Sequence, residues 1–147
     1  MPVNDLLGAT VKVLGKGKIS ISTVTTTNVD FGTPDDINLG SNTNYAPGDR
    51  IVVVLDASTA GTTDTTSFSI QTAPDSSGSI GTPVTATTDV AAGSDALTGG
   101  TGDRYIVAGV RVPAGHSWIR VRATRASGTT DTTVVQAAVL AIPRNGV

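Results

Sequence analysis

Short stretches in which apolar and polar residues alternate recur along the chain, separated by turns rich in Gly, Pro, Asn and Asp. Alternation with period two is the mark of half-buried β-strands. Residues 10–14 and 18–24 bracket Gly15-Lys16-Gly17, a spacing that predicts a hairpin with a short loop. In the second of these, Ile19 and Ile21 fall on one side and Ser20 and Ser22 on the other. Residues 25–31 predict a further short strand, and residues 32–48 a long loop whose Pro47-Gly48 is a turn dipeptide. Residues 51–57 (IVVVLDA) begin as an unbroken apolar run, which predicts a central strand covered on both faces. In residues 67–72, Phe68 and Ile70 alternate with Ser67, Ser69 and Gln71. A Pro/Ser/Gly loop over 74–82, a weaker strand over 83–88 and a polar stretch over 91–102 precede the apolar run 104–112. A Pro113-Ala114-Gly115 turn then leads to strands over 117–124 and 133–142.

A hexapeptide, Gly-Thr-Thr-Asp-Thr-Thr, stands at both 61–66 and 128–133. Each copy lies between two predicted strands, so each reads as the tip of a β-hairpin. Two related hairpins among about eight strands predict an all-β, two-sheet antiparallel β-sandwich with jelly-roll (Greek-key) topology. At 147 residues the chain fits one domain, with 1–9 and 143–147 as extended arms.

Composition sharpens this picture. The chain has 24 Thr and 18 Val and no Glu, and residues stiff at χ1 suit a pleated surface better than a helix. Without cysteine, neither disulfides nor thiolate metal sites can form. The segment beginning Met1-Pro2-Val3-Asn4 has no basic stretch followed by an apolar one, and no apolar run is long enough to span a bilayer as a helix, so synthesis in a cytoplasm is expected. Residues 1–103 carry 11 Asp against four Lys and Arg, whereas residues 104–147 carry six Arg against Asp131 alone. Interleaved strands would neutralise these charges locally; separated ones would set a basic face against an acidic one.

Catalytic chemistry finds little support. His116 is the single histidine, so no His cluster can hold zinc, and no nucleophile-elbow motif accompanies it. Asp35, Asp36, Asp64 and Asp131 invite a calcium reading, but their spacing matches no EF-hand. The run Gly99-Gly-Thr-Gly-Asp-Arg places its Asp one position too early for a calcium β-roll and has no tandem copy. No cofactor and no enzymatic activity are expected. Two Tyr, two Phe and one Trp are too few to make nucleic acid a convincing partner.

One strand stands apart. In residues 117–124 the inward set is Ile119, Val121 and Ala123, leaving Trp118, Arg120, Arg122 and Thr124 on the opposite face. Trp and Arg are the residue types most enriched at interface hot spots. The same pattern also fits a Trp covering the rim of the core, with Arg stems lying across an apolar face. The candidate protein-interface set is Trp118, Arg120, Arg122, Arg125 and Arg144.

From about residue 20 to 142, the chain resembles the jelly-roll capsid cement (decoration) proteins of tailed bacteriophages of the short-tailed type. The resemblance lies in the order and spacing of five stations. These are Thr25-Thr-Thr-Asn-Val-Asp-Phe-Gly, Gly48-Asp-Arg-Ile-Val-Val-Val-Leu, the 67–73 strand running into Pro74-Asp75, Val110-Arg-Val-Pro-Ala-Gly, and the arm at 128–140. The first 18 residues and the Arg-bearing strand match less clearly. The resemblance implies a structural virion protein on the capsid exterior, a homotrimer bridging neighbouring copies of the major capsid protein, with no nucleic acid or membrane partner. The competing function is a phage fibre or surface module that recognises carbohydrate or a receptor; too few aromatics are present for the usual sugar platform.

Overall fold

The computed structural model describes residues 11–32, 35–59, 65–93, 97, 100–127 and 132–143. Among these the strands are β1 (Lys12–Ile21), β2 (Thr25–Asn28), β3 (Ile37–Asn38), β4 (Arg50–Thr59), β5 (Thr65–Ser76), β6 (Ser79–Ile80), β7 (Val84–Thr85), β8 (Thr87–Gly93), β9 (Gly100–Thr101), β10 (Arg104–Arg111), β11 (His116–Ser127) and β12 (Thr133–Ile142). Eight of these are four residues or longer, in line with the sequence reading. All pairings are antiparallel, in two sheets. The first, sheet A, has the order β1-β12-β4-β10-β8; the second, sheet B, runs β2-β11-β5, with the two-residue strands along its flanks.

The order is nested. The first long strand pairs with the last (β1 with β12), the second with the next to last (β2 with β11), and β4 with β10. That is a long hairpin rolled around itself, the jelly roll expected from the sequence. The roll closes where the chain changes sheets at residues 84–88. There β7 pairs with β5, Ala86 N donates to Ile70 O at 2.9 Å, and β8 joins the edge of sheet A beside β10.

Alternation supplies the core. Ile51, Val53, Leu55 and Ala57 of β4, Ile106, Ala108 and Val110 of β10, Ile119, Val121 and Ala123 of β11, and Val135, Ala137, Val139 and Ala141 of β12 meet between the sheets in one apolar cluster. Burying a Val, Leu or Ile side chain contributes roughly 1.5–3 kcal/mol, so a core made mostly of β-branched residues rewards the strand conformation those residues already prefer.

Two sequence expectations are corrected. The predicted hairpin at Gly15-Lys16-Gly17 is instead the interior of one strand, because β1 runs through it against β12 with only a bulge between Val13 and Gly15. The glycines are there for clearance. A Cβ on Gly17 would lie 2.5 Å from Asp30 O, and one on Gly15 would lie 2.8 Å from Ile37 Cδ1. The chain after β2 therefore presses against β1 where side chains are missing.

The hexapeptide repeats, in turn, are not hairpin tips. β4 and β5 lie in different sheets, as do β11 and β12, so each copy belongs to a crossover from one sheet to the other. The final Thr of each copy, Thr66 and Thr133, is fully buried, and these two residues lie at the same end of the sandwich. Residues 60–64 and 128–131, which include the loop aspartates Asp64 and Asp131, lie outside the described residues, as do the expected arms apart from Pro143.

The long loop after residue 32 has local order of its own. It ends in the anticipated turn, with Asp49 N donating to Ala46 O at 3.0 Å and Gly48 at φ +96°, a type II arrangement that a Cβ would strain. Ile37 and Leu39 reach into the core, and β3 pairs with β11. Asn42 Nδ2 and Asn44 Nδ2 donate to Leu14 O and Val13 O at 2.9 and 3.0 Å, so side-chain amides occupy the outer edge of β1.

Candidate protein-interaction faces

The outer face of sheet B carries the residues singled out in the sequence. Trp118 projects outward by alternation, yet only 3% of its surface is exposed. It sits in register between Asn38 and Ala73, and its Nε1 donates to Asp75 Oδ1 at 2.9 Å. Asp75 also accepts from Gly78 N at 3.0 Å, and these two donors, the amide first, hold its pKa below the ordinary carboxylate value.

Arg120 grips Asp36 with two parallel bonds, Nε to Oδ1 at 2.7 Å and an Nη to Oδ2 at 2.8 Å. That fork raises the arginine's pKa further, against the opposing effect of its partial burial. Arg122 lies between Asn28 and Ser69, half-buried, with its Nε shielded from solvent and lacking a hydrogen-bond partner. Thr124 shares a hydrogen bond with Thr26 at 2.8 Å.

Arg125 belongs to the opposite side of the strand. It continues the inward series 119, 121, 123, is 1% exposed, and donates to Ile21 O at 3.2 Å. Arg104, 5% exposed, also enters the sandwich, donating to Thr66 O and lying over the Phe68 ring at 5.5 Å. Arg144 lies outside the described residues. Of the candidate interface set, then, Trp118 and Arg125 present no free surface, Arg120 is engaged within the chain, and Arg122 is partly accessible. His116 is held in the Pro113–His116 turn, its Nδ1 2.9 Å from Thr72 Oγ1. Among the described residues, no three His, Cys, Asp or Glu side chains converge as metal ligands would.

Sheet A presents a different outer surface. β4, expected to be covered on both faces, is covered on one only; Val52 and Val54 face outward, half-buried. Residues opposite one another on antiparallel ladders project to the same side. One row across the sheet is Val13, Leu140, Val52 and Gly109. The next is Lys16, Ala138, Val54 and Val107, and the one after is Lys18, Gln136, Asp56 and Tyr105. A single bridge adds Asp30 to that last row beside Lys18.

The apolar centre is therefore bordered by both cations and anions, with Tyr105 52% exposed at one side. Between Tyr105 and the Asp30–Gly32 ridge lies an open depression of about 860 Å³, floored by Val54 and Ala138. The sequence signal for this face was the unbroken apolar run in β4, read as burial on both sides. Lys16 and Lys18 were missed as members because the hairpin reading split β1.

No protein-family model matches the chain, and no curated protein matches it. A solved structure, a cyanophage Pam1 capsid asymmetric unit, is similar at 19% identity over 90% of this chain and 85% of that one, with a TM-score of 0.33. A likeness that weak carries neither fold nor function; the jelly roll rests on the strand order itself.

Proposed function

We propose that the chain is a non-catalytic structural virion protein that clamps a bacteriophage capsid, binding and bridging neighbouring major capsid proteins as a cement or decoration subunit. The supporting observation is an outer face of sheet A with an apolar centre that no other described strand covers, on a two-layer sandwich in which Trp118 and Arg120 are tied up in internal bonds. Such a body offers surface rather than a reaction centre. The ordered stations that resemble those of phage cement proteins favour the major capsid protein as the partner.

A sandwich of long ladders has little conformational freedom to lose on docking, so less of its contact energy is offset by ordering. As a homotrimer on the capsid exterior, it would gain avidity of roughly 10²–10⁴ from its second and third contacts. The carbohydrate-binding alternative is weakened because Trp118, its natural stacking residue, is buried. The test is rebinding: purified protein should elute as a trimer and reattach to capsids stripped of it. A monomer with no affinity for such capsids removes the reading.

A further inference from the structure

We infer that the outer face of sheet A takes a second copy of this chain, stacked face to face about a two-fold axis running parallel to β12. The inference shares with the proposed function only the premise that this face meets protein. It requires no capsid.

The row that crosses the sheet reads Asp30, Lys18, Gln136, Asp56, Tyr105, with Gln136 on β12 at its centre. A two-fold axis along β12 lays each position over its mirror position at the same height. Lys18 then faces Asp56 of the second copy, Asp56 faces the copy's Lys18, and the two Gln136 amides meet, each able to donate and to accept. At the ends of the row, the Tyr105 hydroxyl meets the copy's Asp30 carboxylate. A five-position row containing three charges and a phenol thus becomes complementary at every position, with no like charges opposed.

The rows beside it obey the same operation. Leu140 and Ala138, both on β12, meet their own copies, Val13 meets Val52, and the Lys16 stem lies over Val54. Self-complementarity of this kind is what an isologous contact requires. It is not spent within the chain, because no hydrogen bond or ion pair joins the Lys18 or Asp56 side chain to another described residue. Packed sheets cross at about −30°, which displaces positions one strand from the axis by only about 2–3 Å, within reach of a lysine.

The area sets the strength. Four or five strands about 4.8 Å apart and three rows about 7 Å apart give a face of about 450 Å². A stable complex buries about 800 Å² per partner. The contact is therefore weak and concentration-dependent, pairing whatever species the chain forms by other contacts.

Sedimentation over a wide concentration series tests this on the full chain. The mass of the basal species should double as concentration rises. Lys18→Asp and Asp56→Lys should each weaken the doubling by about tenfold, since two symmetric pairs are lost at once. The double variant, which reverses both charges, should restore it, whereas Lys12→Asp, a like change on β1 outside the row, should leave it alone. Both residues are exposed, so folding, followed by near-UV circular dichroism, should be unchanged. Absence of doubling, doubling indifferent to either single change, or a double variant no better than the singles overturns the inference. Loss of capsid rebinding in the single variants without loss of doubling assigns the face to the capsid and overturns it as well. Failure of the wild type to rebind capsids while doubling persists would remove the proposed function and leave this contact standing.

Discussion

The indole Nε1 of Trp118 donates to Asp75 Oδ1 at 2.9 Å, fixing the chain's one tryptophan against the end of the neighbouring strand. The carboxylate is held in turn by Gly78 N across the tight turn that joins β5 to β6. One bond thus couples a buried aromatic ring to a surface turn. Replacing Asp75 with Ala leaves a shielded N–H without its acceptor. The expected result is a fall of a few degrees in thermal midpoint and a change in Trp118 emission, measured against Ser76→Ala as a neighbouring control.

The same carboxylate predicts a pH dependence. Its pKa is lowered in the folded state, by the Gly78 amide first and the Trp118 indole second. A group that releases its proton more readily when folded adds stability above its unfolded pKa, and that stability is lost as pH falls through its folded pKa. The stability gap between wild type and Asp75→Asn should therefore be constant near neutrality and narrow in acid, below the ordinary carboxylate range. Thermal melts at stepped pH read this directly. A gap that widens in acid contradicts it.

The Arg120–Asp36 fork ties the long loop to β11, and its side chains are 22% and 7% exposed. Arg120→Ala strands a largely buried carboxylate and should cost about 3 kcal/mol. Removing both partners should cost less than the sum of the two single changes, the non-additivity expected of directly bonded groups. Urea unfolding of the four-member cycle measures it.

Gly17→Ala places a methyl group 2.5 Å from Asp30 O, a backbone atom that cannot step aside alone. The expected cost is about 3 kcal/mol. Hydrogen exchange should quicken at Lys18 N, which donates to Asp30 O at 3.2 Å.

Ser77 has φ +54° beside Gly78 at φ +83°, both in the left-handed region, as a two-residue type I′ hairpin demands. Ser77→Asn should stabilise the fold by about 0.5 kcal/mol, because asparagine tolerates that region better. An increased urea midpoint at unchanged slope is the readout.

Whatever depends on backbone alternation was legible in advance. The inward set Ile119, Val121 and Ala123 follows from period two, and continuing that period one step further would have placed Arg125 inside as well. Partner choice was not legible. Gly15 and Gly17 look the same in sequence whether they turn the chain or let another segment approach, and the approaching segment, residues 29–31, is set by the sheet rather than by local preference. Strands do flank both hexapeptides, as expected, but whether two successive strands pair or separate into opposite sheets is decided by the roll. The hydrogen bond that anchors Trp118 likewise runs to Asp75, 43 positions away in the chain. The outer face of sheet A escaped notice because an apolar run in sequence does not say whether its second side is filled.

The amides of Asn42 and Asn44 that seal the rim of β1 bear on how the molecule can join a larger array. Carbonyls that would otherwise invite a foreign ribbon to zip alongside are already occupied, and Asp30 O takes the Lys18 N–H further along. Growth sideways by continuous hydrogen bonding is closed at this border. At this border a neighbour can meet the molecule only through shape and charge, and such a contact can be undone by salt or dilution without unravelling any strand.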